Sequence, residues 1–266
     1  MILQLKDLDK YYKKTHAIKK MTADLDKGFY GLLGENGAGK STLMRCIMGM
    51  EKYSGKILIQ DSLSAIGYLP QDFRVFGNLT VRENMDFIAG YKGGHDTVDS
   101  LLKTVNLWDK KDAKACELSG GMLKRLGIAQ AMLGNPRVLL LDEPTSGLDP
   151  EERMRLCNYI SEISGERCVI MSTHIVQDVD ELCDKLMVMH QGELKYIGTT
   201  RNLARVAEGK VYMMPRDSAV EQKLQHSIIK TGREDNKVRV LTNEVCNGEQ
   251  VSPTTEDGYL CLLRGI

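Results

Sequence analysis

The stretch "GENGAGKST" (34–42) constrains this chain more than any other. It follows a short apolar run, "FYGLL", and leads into "LMRCIMGM", which reads as a helix. Between a strand and a helix, GxxxxGK[ST] forms a cradle for phosphate. Gly34, Asn36, Gly37, Ala38 and Gly39 supply the backbone amides, and Gly37 and Gly39 let the loop bend so that successive N–H groups face inward. Those groups and the helix N-terminus surround a β-phosphate. Lys40 reaches the β- and γ-phosphates, Ser41 offers a hydroxyl to Mg2+, and Thr42 meets the α-phosphate.

A nucleotide site also needs a metal ligand and a way to activate water. "VLLLDEP" (138–144) is an apolar strand that ends in two acids. At the C-terminal end of a strand both can reach the crevice where ligands collect. Asp142 would hold Mg2+ through water, and Glu143 would orient or deprotonate the attacking water. The guanine-specifying NKxD motif is absent, which favours adenine.

The surrounding pattern is α/β. Met21, Ala23 and Leu25 alternate with polar residues, and "MILQLKDLDK" alternates weakly, so the chain opens on two antiparallel strands. "ILIQ" (57–60) is a further strand. Residues 77–135 read as a helical insert: "TVRE" (80–83) is a capping box, Leu101, Leu102, Val105 and Leu107 mark a second helix, and Met122, Leu126, Ala129 and Leu133 a third. After "RVLLLD" (137–142) come a helix striped by Leu156, Ile160 and Ile163, a strand "CVIMSTH" (168–174), a helix "VDELCDK" (179–185) and a strand "LMVMH" (186–190). Successive βα units imply parallel strands with helical crossovers. Beyond about residue 201, "KVYMM" (210–214) and "KVRVLT" (237–242) read as strands, "SAVEQKLQHSIIK" (218–230) as a helix, and "EDGYLCLLRGI" as a closing helix.

Composition excludes several classes. Lys plus Arg and Asp plus Glu both number 36, so no global field attracts nucleic acid, and none is expected as a partner. The basic cluster "KYYKKTHAIKK" (10–20) reads as a solvated face. The longest clean apolar run, "VLLL" (138–141), is far below a membrane span, and the N-terminus has no signal-peptide pattern. Seven dispersed cysteines without a CxxC pair suit free thiols in a reducing compartment.

Together these motifs resemble the nucleotide-binding subunits of ABC transporters over about residues 1–200. "GENGAGKST", "YLPQ" (68–71), "LSGGM" (118–122), "VLLLDEP", "SGLD" (146–149) and "STH" (172–174) stand in that family's order. The resemblance implies an ATP-binding domain over 1–204, with a phosphate-loop core on a parallel sheet, an N-terminal antiparallel β subdomain and a helical subdomain near 77–135, followed by a small α/β extension over 205–266. It implies that Tyr12 stacks on adenine, with Tyr11 as the rival. It places Gln71 on Mg2+ and water, Asp149 between two ATP sites or at a helix N-cap, and His174 against the γ-phosphate and Glu143. Ser119, Gly120 and Gly121 would serve the γ-phosphate held by a second cassette, a copy of this chain or a paralogue, so that two ATP molecules are sandwiched.

The resemblance extends to a bacterial exporter branch serving drug and bacteriocin systems, through "LSGGMLKRLGIAQAMLGNP" and the C-terminal extension. It implies a cytoplasmic subunit held at the inner face of the membrane by an integral permease. "DFRVFGNLTVRENMDF" (72–87) would dock that permease, with Phe73 and Phe76 as contacts or as core aromatics. Three residues depart from the family pattern: Met122 where glutamine is usual, Glu35 for a frequent proline, and Lys13 for a glycine. A soluble ABC-type ATPase acting on a macromolecular partner is the alternative. Paired cassettes, long coiled-coil insertions or basic tails would mark one, and none stands in this sequence.

Overall fold

The computed structural model describes residues 1–60, 66–224, 227–231 and 236–266. The chain divides into two units, Met1–Leu194 and Lys195–Ile266, the division lying ahead of the 204/205 position drawn from patterning.

In the first unit, β1 (Leu3–Tyr12) and β2 (Thr15–Leu25) form an antiparallel hairpin. Its alternation is the one expected: Met21, Ala23 and Leu25 are buried, as are Leu3 and Leu5. β3 (Gly28–Leu33) runs into the glycine loop, and α1 (Lys40–Ile47) leaves it. β4 (Ser54–Ile59) returns to the free edge of β1, giving a three-stranded sheet β2-β1-β4.

β5 (Ile66–Leu69) precedes the helical insert, α2 (Val81–Lys92), α3 (Val98–Thr104) and α4 (Gly120–Met132). Thr80 and Glu83 form the reciprocal capping box at the start of α2. The expected stripe of the third helix is buried at Leu126, Ala129 and Leu133, whereas Met122 is half-buried against the same core. α4 rides close on β5: a Cβ at Gly67 would lie 2.2 Å from the Ala131 carbonyl oxygen. Glycine is required there by backbone contact.

β6 (Val138–Asp142), α5 (Pro150–Ser164), β7 (Cys168–Thr173), α6 (Val176–Leu182) and β8 (Lys185–His190) complete the alternation. The strands are parallel in the order β5-β6-β7-β3-β8. β6 is buried throughout because its two faces feed different cores. Leu139 and Leu141 pack with the helical insert, and Val138 and Leu140 with the hairpin and α1. α6 begins and ends earlier than "VDELCDK" suggested. Cys183 is already extended, Lys185 belongs to β8, and Asp184 accepts from the Phe29 amide at 2.9 Å. β9 (Glu193–Gly198) follows, and the division between the units falls within it.

The second unit contains α7 (Thr200–Arg205), β10 (Val211–Pro215), α8 (Arg216–Glu221), β11 (Ile228–Thr231), β12 (Lys237–Leu241), β13 (Glu249–Gln250) and α9 (Thr255–Arg264). Its antiparallel sheet runs β11-β12-β10-β13. The single helix expected over 218–230 is corrected here. α8 ends at Glu221, Lys223 turns the chain at φ 60°, and Ile228 pairs with Val240. β-branched residues pack well on a pleated surface, and that preference overrides the helical spacing. Residues 225–226 of that segment lie outside the described ones.

Candidate functional site

The C-terminal ends of β3, β6 and β7 meet beside a cleft of about 760 Å³. Tyr12, Asn36, Lys40, Thr42, Gln71 and Glu143 are among its lining residues. The loop after β3 closes on itself through Lys40, whose ammonium donates to the carbonyls of Gly34 at 2.6 Å and Glu35 at 3.2 Å. Gly39 precedes α1 at φ 106°, a conformation that favours glycine. Gly34 is buried, and so is Ala38, whose amide donates to the Glu35 carbonyl at 3.1 Å. Gly37, Ser41 and Thr42 line the cleft. Lys40 is itself buried; desolvation pulls its ammonium below the ordinary lysine value, and the carboxylates of Glu143 and Asp142 oppose that shift. Glu35 is exposed, 3.9 Å from His190.

Asp142 ends β6 and Glu143 follows it, two strand positions from the loop-bearing β3. The strand between them, β7, supplies the connection. Ser172 is paired with Asp142 in register. Its Oγ accepts from the Glu143 amide at 2.8 Å and donates to Asp142 Oδ1 at 2.7 Å. Ser41 also donates to Asp142 Oδ1, at 3.1 Å. Two hard oxygen donors so close suit Mg2+. Among the described residues no three His, Cys, Asp or Glu side chains form a metal cage. A divalent ion here would therefore complete its shell with phosphate and water oxygens.

Glu143 sits at φ 48°, left-handed for a residue with a side chain. Its carboxylate lies 3.4 Å from His174 Nδ1 and 4.0 Å from Lys40 Nζ. Gln71 follows β5 past Pro70, is exposed, and lines the cleft; the Lys124 ammonium donates to its carbonyl at 3.3 Å.

The two tyrosines separate. Tyr12 lines the cleft, with the Lys10 ammonium 4.4 Å from its ring centroid. Burial, then Glu51, pushes the Tyr12 phenol above its ordinary value. Tyr11 instead stacks on His16, centroids 3.9 Å apart. Between the strands Lys13 turns at φ 52°, which accounts for the glycine usual at that position.

Asp149 caps α5, accepting from the Glu152 amide at 2.9 Å. Ser119 caps α4, accepting from the Met122 amide at 3.2 Å. Ser119, Gly120 and Gly121 are not among the described residues that line the cleft. Phe73 packs against the helical core, its ring 3.0 Å from where a Gly127 Cβ would lie, so it leaves the list of exposed contacts. Phe76 is 53% exposed and meets Phe87 edge-on at 4.9 Å; Phe87 meets Tyr91 at 5.4 Å.

Two braces escaped the sequence reading. Ser172 stood in the "STH" motif, but its spacing does not reveal a bond across strands. Asp178 on α6 is fully buried and accepts from Thr145 at 3.0 Å and Thr173 at 3.3 Å, and it pairs with Arg153. It thus ties the turn after Glu143 to the end of β7, just before His174. An acid on an amphipathic helix carries no sign of which way it faces.

Strand order and cleft define a nucleoside triphosphatase of the phosphate-loop class. A family model described as ABC transporter matches residues 18–146. YxlF of Bacillus subtilis (strain 168), an uncharacterized ABC transporter ATP-binding protein, is 32% identical over 236 residues, 84% of this chain and 78% of that one. The methionine import ATP-binding protein MetN of Clostridioides difficile (strain 630) is 32% identical over 224 residues, 76% of this chain and 70% of its own. The structure of cbiO1 from Clostridium perfringens, part of the ABC transporter complex cbiONQ, superposes with a TM-score of 0.69 at 29% identity, over 76% of this chain and 90% of that one. The chain belongs to the family of ABC transporter ATP-binding proteins, ATP-hydrolysing subunits of membrane transporters. Its relatives are named as ATP-binding proteins, and cbiO1 as part of a transporter complex. Among the described residues no helix is long and apolar enough to cross a membrane.

Proposed function

We propose that two copies of this chain close around two ATP molecules and drive an exporter permease from the cytoplasmic face of the membrane. One observation carries the reading. The phosphate loop with its acids and the Ser119-Gly120-Gly121 helix start are both intact, yet the latter does not line the former's cleft. A chain holding two non-converging halves of a site is completed by a partner with two-fold symmetry.

In this reading Tyr12 stacks on adenine and the amides of residues 34–42 hold the phosphates. Lys40 turns from its carbonyls to the β- and γ-oxygens. Ser41, Asp142 and Gln71 would hold Mg2+, which supplies charge neutralisation on the phosphates when bound. Glu143 accepts a proton from the attacking water or orients it, and His174 fixes Glu143 and touches the γ-phosphate. Asp149 stands at the dimer face, between the two nucleotides. Loss of the γ-phosphate on hydrolysis removes the contact to the partner's Ser119-Gly120-Gly121 and loosens the pair.

The aromatic row Phe76, Phe87 and Tyr91 supports permease docking on the helical insert, since exposed aromatics in contact are unusual on a free surface. Export rests on the signature-helix sequence and the C-terminal unit, and transport into or out of vesicles decides it against the import direction of a relative such as MetN. The test of the site is Glu143→Gln. It should keep ATP and accumulate as a dimer in light scattering; a monomer at saturating ATP–Mg2+ refutes the two-chain site.

A further inference from the structure

The first turn of α5 lays a carboxylate on the start of α4. The Ser119 hydroxyl donates to Glu152 Oε1 at 3.3 Å. A Cβ built on Gly121 would fall 2.0 Å from Glu152 Oε2, 2.3 Å from Cδ and 2.6 Å from Oε1. The carboxylate therefore fills the place a side chain at Gly121 would take. It is held from behind: Asp149 caps the Glu152 amide, and the next residue, Arg153, is anchored on the buried Asp178. α4 has no acid of its own in its first turn, so the negative charge at this helix start comes from α5. Positive potential at a helix N-terminus favours such an anion.

In the two-chain site proposed above, on which this inference rests, the same hydroxyl and the same glycines receive the partner's γ-phosphate. A carboxylate and a γ-phosphate cannot both take the Ser119 hydroxyl. We propose that Glu152 is an internal competitor for the γ-phosphate, a residue that sets how strictly the dimer distinguishes ATP from ADP. ATP brings an anion of higher charge that displaces the carboxylate. ADP brings none, and Glu152 keeps its seat. When hydrolysis converts ATP and water to ADP and phosphate, Glu152 takes back the Ser119 hydroxyl that the γ-phosphate leaves, which favours separation of the chains.

The experiment titrates ATP–Mg2+ against Glu143→Gln protein and follows dimer by light scattering, with and without Glu152→Gln or Glu152→Ala. Loss of one charged contact at a helix start, at each of two sites, corresponds to a dimerisation midpoint about tenfold lower in ATP. Both variants should show it, and in hydrolysing protein both should slow dimer separation after ATP is exhausted. Midpoints unchanged or raised in both overturn the proposal. If Glu143→Gln itself stays monomeric in saturating ATP–Mg2+, the sandwich fails first and the proposal falls with it.

Discussion

Replacing Ser172 with alanine removes one oxygen from the middle of the site. That oxygen accepts from the Glu143 amide at 2.8 Å and donates to Asp142 at 2.7 Å. A buried amide left without a partner costs about 1–3 kcal/mol, and loss of a hydrogen bond to a charged group about 1.5–3 kcal/mol. Ser41 still donates to Asp142, so the sum is an upper bound, and the expected loss of stability is about 2–4 kcal/mol. The left-handed backbone at Glu143 adds to the effect, because the bond to Ser172 opposes its relaxation. Relaxation would carry the carboxylate away from His174. Urea unfolding followed by tryptophan fluorescence reads the first unit alone, since the chain's one tryptophan is Trp108. If 1.4–2.8 kcal/mol of the loss reaches the transition state, kcat falls roughly 10- to 100-fold. Ser172→Cys, with similar size and a weaker donor, should fall between. Unfolding within about 0.5 kcal/mol of the parent, with kcat within about a factor of two, would refute the bridge.

Lys40→Ala should lower affinity for a fluorescent ATP analogue by about 100-fold, and unchanged binding sinks the phosphate-loop assignment. Met122→Gln should cost about 1 kcal/mol in urea unfolding, because the thioether packs half-buried on the helical core; no loss would place that side chain in water. In the second unit, burial works to raise the Asp257 carboxyl, but bonds from Arg239 and Thr254 outweigh it and hold it below its usual 3.8. The stability from that pair is therefore present above this value and lost as pH falls through the lowered one. Asp257→Asn should cost about 3 kcal/mol at neutral pH, read as faster amide exchange over 255–264, with the gap to the parent closing below about pH 4.

Much of this architecture is written in local patterns. The phosphate loop, the apolar strand ending in Asp142-Glu143, the Thr80–Glu83 box and the alternation of Met21, Ala23 and Leu25 each follow from residue spacing. The failures share a cause. Ile228 and Ile229 fit a helical stripe as well as a strand, and the choice is made by pairing with β12, which lies outside the segment itself. The turn at Lys223 uses a left-handed residue that is not glycine, so no punctuation marks it. Asp178 and Ser172 act through partners on other elements, and one-dimensional spacing contains no information about which polar group turns inward. Phe73 and Phe76, three positions apart, read alike; Gly127 opens a slot for one of them.

Strand order supplies a ruler. β7 lies between β6 and β3, so the acids and the glycine loop stand two inter-strand spacings apart, about 9.5 Å. That gap is not adjustable by side-chain rotation, because hydrogen-bonded backbone sets it. It also makes the end of β7 a gauge of permitted size. Ser172 is small enough to reach both acids without entering the space between them and Lys40. A leucine or phenylalanine there would lose both bonds and overpack a fully buried position, so the same change that narrows the space for the nucleotide also destabilises the fold.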